Sequence, residues 1–81
     1  MLDKVRNIII KNIECFYTQI QDDLDLREYG MSSLAFIKII AEIEDAFEIE
    51  VPFEMLSMNN LYTIEQFYKL VISYYRDKGI N

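Results

Sequence analysis

The sequence predicts an all-α protein, a small four-helix bundle of three main helices and one short helix around a single core. Three segments carry apolar residues at spacings of three and four, which is the period of an amphipathic helix. The 81 residues include only two glycines and one proline, and this composition argues against a β-rich or disordered chain. We therefore expect one domain, residues 1–81, with a long first loop.

The first helix is predicted from Asp3 to Tyr17. Its apolar stripe consists of Leu2, Val5, Ile9, Ile13 and Phe16. Cys15 lies close to this stripe. No base or cation cluster stands beside it to activate the thiol, so we interpret it as a small buried residue.

The segment from Thr18 to Gly30 has lost the helical period and is predicted to be a long loop. Two leucines in it, Leu24 and Leu26, are expected to pin it to the core. Its three aspartates are Asp22, Asp23 and Asp25. They suggest a calcium loop, but the glycine of the tight turn and the closing glutamate are missing. We predict a solvated loop face and no metal site.

The second helix is predicted to follow Gly30, because the serine pair Ser32-Ser33 precedes an apolar-periodic run to Phe47 without proline or glycine. Ser32 is the predicted N-cap. The free N–H groups and the positive dipole end of such a helix start suit a phosphate. The face expected in the core is Phe36, Ile39, Ile40, Ile43 and Phe47.

A second apolar line runs along the same helix, displaced from the core face: Leu34, Ile37 and Ala41. A small bundle has difficulty burying both, so we expect this line to remain at least partly exposed. An exposed apolar line is best explained as a docking surface. The predicted surface also includes Met31 and Lys38. The alternative is that Leu34 and Ile37 pack under the long loop. The acidic residues Glu42, Glu44, Asp45 and Glu48 are predicted to fill the remaining, wet surface.

The last third of the chain begins at Val51-Pro52, which stops the helical pattern. Phe53 to Leu56 is predicted to form one or two turns packed on the bundle, and Asn59-Asn60 is typical of a turn. Thr63 to Gln66 has the form of a capping box. The last helix, ending at Gly79, has the apolar stripe Ile64, Phe67, Leu70, Val71 and Tyr74. Four tyrosines are interpreted as core edges with wet hydroxyls: Tyr62, Tyr68, Tyr74 and Tyr75.

Composition limits the function. The net charge of −6 disfavours nucleic acid and anionic membranes as partners and permits basic protein surfaces. The sequence has no histidine and a single cysteine, which argues against a zinc site, a histidine triad or an internal disulfide. It shows no apolar run of bilayer length and no signal-peptide layout. We expect a cytoplasmic, monomeric protein that is not an enzyme.

One motif connects the chain to a known family. Gly30-Met31-Ser32-Ser33-Leu34 resembles the Gly-x-Asp-Ser-Leu motif of acyl and peptidyl carrier proteins. Phe36 to Phe47 resembles the family's second helix, Glu48 to Pro52 resembles the stretch after it, and Thr63-Ile64 resembles the start of its last helix. The resemblance covers nearly the whole chain and implies the same four-helix fold.

The resemblance implies that Ser33 is esterified with 4′-phosphopantetheine, whose thiol holds acyl or aminoacyl groups as thioesters. The implied partners are a phosphopantetheinyl transferase and the loading and condensing enzymes. Ser32 stands where the family usually has aspartate. The stretch Ala35 to Lys38 is apolar with one positive charge, where carriers of fatty acid synthesis usually present acids. The chain is therefore more similar to free-standing carriers of nonribosomal peptide or polyketide assembly. The alternative is an unmodified carrier fold that acts as an interaction module.

Overall fold

The structure, a computed structural model, describes residues 2–13 and 20–79, with the side chains of the last helix as far as Tyr74. The described residues form three α-helices: α1, Leu2–Ile13; α2, Ser33–Phe47; and α3, Ile64–Gly79. Two short 3₁₀ helices, Leu26–Tyr29 and Phe53–Met55, lie in the connections. These residues contain no strand. The predicted all-α fold is confirmed, and its short helix corresponds to 3₁₀ turns.

The three α-helices contribute one buried face each. The predicted core face of α2 is confirmed, because all five of its residues are buried. Phe36 of α2 meets Phe67 of α3 with the ring centroids 6.1 Å apart and the rings tilted by 53°. From α1 the core takes Val5, Ile8, Ile9 and Ile13, and from α3 it takes Ile64, Phe67, Leu70 and Val71. The predictions for Cys15, Phe16 and Tyr17 concern residues outside those that the structure describes.

The first loop is hydrogen-bonded to α1 and to the start of α3. Leu26 is fully buried, as predicted, and its N–H donates to the carbonyl of Tyr62 over 2.7 Å. The N–H of Glu65 donates to the Asp22 carbonyl over 3.0 Å. Arg6 of α1 donates to the Ile20 carbonyl over 2.6 Å and pairs with the Asp22 carboxylate. Two of the loop's three aspartates therefore serve the fold, since Asp25 also caps the first 3₁₀ helix.

The connection after α2 reverses the chain at Glu48, which takes the left-handed conformation with φ 54°. Glu44 is half-buried rather than fully wet: its carboxylate accepts the Val51 N–H over 2.8 Å. The 3₁₀ helix Phe53–Met55 follows. Phe53 is 87% exposed, so this turn is less closely packed on the bundle than the sequence suggested.

The start of α3 confirms the predicted capping box. The Thr63 hydroxyl accepts the Gln66 N–H over 3.1 Å, and the Gln66 side chain accepts the N–H groups of Thr63 and Tyr62 over 3.1 and 2.8 Å. Each residue therefore satisfies N–H groups that the helix itself leaves unpaired. In the part of the chain that the structure describes, no helix is long and apolar enough to cross a membrane.

Candidate functional site: the start of α2

Gly30 makes the turn that delivers the chain to α2. It ends the first 3₁₀ helix with φ 102°, and its N–H donates to the Leu26 carbonyl. A Cβ at this position would lie 3.1 Å from the carbonyl oxygen of Ile13, at the end of α1. A side chain would therefore meet both backbone strain and a close contact. Because of this glycine, α2 begins directly beside the end of α1.

Ser32 is the N-cap of α2, as predicted. Its backbone is extended, with φ −79° and ψ 172°, and its Oγ accepts the N–H of Ala35 over 3.1 Å. Its carbonyl accepts the N–H of Phe36 over 2.9 Å. A serine hydroxyl caps a helix as an aspartate carboxylate does, since either side chain can accept a first-turn N–H.

Ser33 is the first residue of α2, and its side chain is exposed. Its hydroxyl points at the sulfur of Met58 over 3.8 Å, a long and weak contact. A thioether cannot act as a general base, so this hydroxyl needs a base from elsewhere to become a nucleophile. The first turn of α2 has no acidic residue, so this turn itself brings no carboxylate against an anion at the positive end of the helix.

The line displaced from the core face is exposed. Leu34 and Ile37 are 62% and 63% exposed, and Lys38 and Ala41 are exposed as well. The alternative, that Leu34 and Ile37 pack under the long loop, is therefore wrong. Large apolar side chains this open to water, beside an exposed serine, form a surface that a partner can cover.

The prediction that Met31 belongs to this surface is wrong. Its side chain is only 3% exposed and belongs to the core. Met31 precedes the N-cap, and a hydrophobic residue there commonly packs against the fourth helical residue as a hydrophobic staple. That residue is Phe36, which is also buried. The staple pattern was therefore present in the sequence as Met31-Ser32 followed by Phe36.

An apolar groove of about 480 Å³ adjoins Ser33. One side is α2, through Phe36, Ile37, Ile40 and Ala41. The other side comes from the connection to α3, through Leu56 and Met58. Sequence reasoning missed these last two, because they lie outside any helical period. The one available signal was a pair of large apolar residues two positions apart in a turn-rich segment.

Two charged clusters flank α2. Arg27 donates to both carboxylate oxygens of Asp25, over 2.9 and 2.6 Å, and these hydrogen bonds hold the pKa of Asp25 below its ordinary value. Glu42 accepts from the Lys11 ammonium and the Asn12 amide of α1. Those hydrogen bonds, with Lys11 contributing most, lower the pKa of Glu42. Both carboxylates are therefore held ionised as part of the fold.

A match to a known family model identifies the family of this chain. The family model for the phosphopantetheine attachment site matches residues 3–71. The chain belongs to that family. It is therefore a carrier domain, whose class works with phosphopantetheinyl transferases and biosynthetic enzymes.

A solved structure agrees with this family assignment at the level of the fold. The chain is similar to the acetyl actinorhodin acyl carrier protein from Streptomyces coelicolor, with a TM-score of 0.73 and 16% sequence identity over 96% of this chain and 93% of that one. At this identity the likeness concerns the carrier fold alone. The exposed serine at the start of α2 is therefore set in an acyl-carrier-protein-like fold.

Proposed function

We propose that this carrier domain bears 4′-phosphopantetheine on Ser33 and holds acyl or aminoacyl groups as thioesters on the thiol of that arm. The observation that supports this most is the exposed hydroxyl at the first residue of α2, with the capping role taken by its neighbour Ser32. In the transfer, the Ser33 oxygen forms a bond to the phosphorus that carries pantetheine. The pyrophosphate P–O bond of coenzyme A breaks, the adenine nucleotide leaves with the other phosphate, and the serine proton passes to a base of the transferase.

The residues around Ser33 suit a bound phosphodiester. The first turn of α2 has no carboxylate to repel it, and the N-terminal dipole favours an anion. The groove beside the serine is lined mainly by apolar side chains, so it can shield an apolar cargo from water. The protein's part is to present the hydroxyl and a place for the cargo, while the arm supplies the thiol.

The experiment is intact-mass analysis after incubation with a broad-specificity phosphopantetheinyl transferase and coenzyme A. Wild type is expected to gain one phosphopantetheinyl group, Ser33→Ala none. Ser32→Ala, which keeps the attachment hydroxyl, is the matched control and is expected to gain the same mass. An unmodified wild type, or an undiminished gain on Ser33→Ala, would rule out this attachment site.

We further propose that this carrier serves nonribosomal peptide or polyketide assembly rather than fatty acid synthesis. The support is the surface around Ser33: Leu34 and Ile37 are exposed, Lys38 is cationic, and acids begin only at Glu42. A partner that recognises early acids on α2 would not find them here. The test compares kcat/KM for loading by transferases of the two classes. Preference for the fatty-acid type would contradict the proposal.

A second candidate is a carrier fold that is never modified and acts as an interaction module. The observation that favours it is Ser32 in the place of the family's aspartate. The two candidates separate on protein isolated from its native host. Recovery of only unmodified chain supports the module, and recovery of chain with the added arm excludes it.

We propose Leu34, Ile37, Lys38 and Ala41 as the docking surface in either case. All four are exposed on α2 near Ser33. The apolar members would supply the buried contacts, and Lys38 would pair with an acid of the partner. The proposed partners are the transferase and the loading and condensing enzymes, met by a monomer in the cytoplasm.

A further inference from the structure

The groove beside Ser33 has α2 as one wall and a loop as the other. We call residues 52–60 the wall segment, since it supplies Leu56 and Met58. The backbone hydrogen bonds made by this segment connect its residues to one another or to the adjoining Leu61, as in Leu56 to Phe53 and Asn60 to Ser57. Val51 and Leu61, which flank it, are buried. The wall segment is therefore a loop fixed at its two ends, and between them Met55 and Met58 pack partly buried against the core.

Arg27, in the first 3₁₀ helix, reaches across to this loop near the serine. Arg27 donates from Nη1 to the Met58 carbonyl over 3.5 Å and to Asn59 Oδ1 over 3.4 Å. The guanidinium is itself held by Asp25 and lies over the Tyr62 ring, 4.3 Å from its centroid. The planar, multi-donor group of arginine makes all these contacts at once.

We propose that Arg27 is a positioning residue: it holds Met58 against Ser33 and so sets how far the groove is open beside the attachment serine. The hydrogen bond from Arg27 to Asp25 is short and charge-assisted, whereas the two hydrogen bonds to the wall segment are near the limit of hydrogen-bond length. The wall segment can therefore be released while Arg27 stays in place. The consequence for cargo size rests on the function proposed above.

The first test uses the unmodified protein, with methyl-labelled methionine followed by NMR and amide exchange followed in parallel. In Arg27→Gln we expect the Met58 methyl signal to shift and the amides of Asn60 and Leu61 to exchange about tenfold faster, because local opening controls exchange. Arg27→Lys keeps the charge without the planar fork and is expected to show the same changes. Lys69→Gln removes one exposed cation from α3 and is the charge-matched control, expected to change neither signal.

Met31 is the internal reference, because its side chain lies in the core near the start of α2. A role confined to the wall segment leaves the Met31 methyl signal unchanged. If Arg27→Gln is folded and Met58 and the two amides keep their wild-type behaviour, the proposal is overturned. If Met31 and Met58 shift together, Arg27 supports the whole bundle, and the proposal is equally overturned.

The second test measures the cargo. Wild type and Arg27→Gln are loaded by the transferase from acetyl- and octanoyl-coenzyme A, and cleavage of each thioester by hydroxylamine is timed. We expect the octanoyl thioester, relative to acetyl, to react several-fold faster in Arg27→Gln than in wild type. Equal ratios would overturn the cargo role. Failure of wild type itself to gain mass would instead overturn the proposed attachment, while leaving the result on the unmodified protein in force.

Discussion

Replacing Ile37 with glutamate separates docking from folding at the proposed partner surface. Ile37 is on the displaced line of α2 and is 63% exposed. Ile40, three residues later on the same helix, is 6% exposed. The same substitution at the two positions therefore introduces the same charge on one helix, once into water and once into the core.

The expected cost at Ile37 follows from its exposure. Full burial of an isoleucine side chain contributes about 1.5–3 kcal/mol, and about a third of Ile37 is covered. The substitution should thus lose about 0.5–1 kcal/mol of apolar contact, of which glutamate's higher helix propensity returns a few tenths. A loss below about 1 kcal/mol lowers the melting temperature of a domain this size by less than about 8 °C. Ile40→Glu buries an unpaired charge and should cost several kcal/mol.

The assay pairs thermal or denaturant unfolding with loading by a phosphopantetheinyl transferase and coenzyme A. Ile37→Glu is expected to unfold close to wild type but to show about a tenfold lower kcat/KM, the size of a contact worth about 1.4 kcal/mol. Ser73→Glu adds the same charge to an exposed position of α3 and is the matched control. It is expected to load at the wild-type rate.

Three results would contradict this reasoning. A large fall in the melting temperature of Ile37→Glu would mean that the side chain is buried in solution, and the exposed line could not be a docking surface there. A folded variant that loads as well as wild type would show that the transferase does not use Ile37. Equal loss of loading in Ser73→Glu would point to net charge instead of the apolar line.

Two further predictions concern the helix ends and pH. Ser32→Ala should lower the free energy of unfolding by about 1 kcal/mol while Ser32→Asp keeps it; equal denaturant midpoints for Ser32→Ala and wild type would exclude the cap. Glu42 has its pKa lowered by Lys11 and Asn12, so its stabilisation is present above the unfolded pKa and is lost as pH falls through the lower folded value. The melting temperature of wild type should therefore fall more steeply below about pH 5 than that of Glu42→Gln. Asp45→Asn is the control, and a Glu42→Gln profile parallel to wild type would refute the prediction.

The parts that could be predicted from the sequence depend on neighbours along the chain. The cap at Ser32, the box formed by Thr63 and Gln66, and the core face of α2 all follow from spacings of three and four. Such rules need no knowledge of what lies across the bundle. They also placed the exposed line on α2, because one helix side must face water once the other is buried.

The parts that could not be predicted depend on residues distant in sequence. Arg27 meets Met58 and Asn59 across more than thirty positions. Glu42 was predicted to be wet but is drawn to Lys11 by the packing of α2 on α1. The groove wall is formed by Leu56 and Met58, which have no helical period to mark them. Side-chain chemistry alone does not specify such partners, since several charges of either sign were available to each.

At the start of α2, two adjacent serines divide two roles, helix capping and attachment of the arm, that could otherwise fall on one residue. The Ser32 oxygen accepts the N–H of Ala35 in the first turn. Among the described residues, the hydrogen bond of the Ser33 hydroxyl is the long contact to the sulfur of Met58. Esterification of Ser33 would therefore remove no bond on which the helix depends. The bond that caps α2 is then the same with or without the arm on Ser33. A pool of such carriers could be charged, emptied and recharged without any member becoming easier to unfold or to degrade.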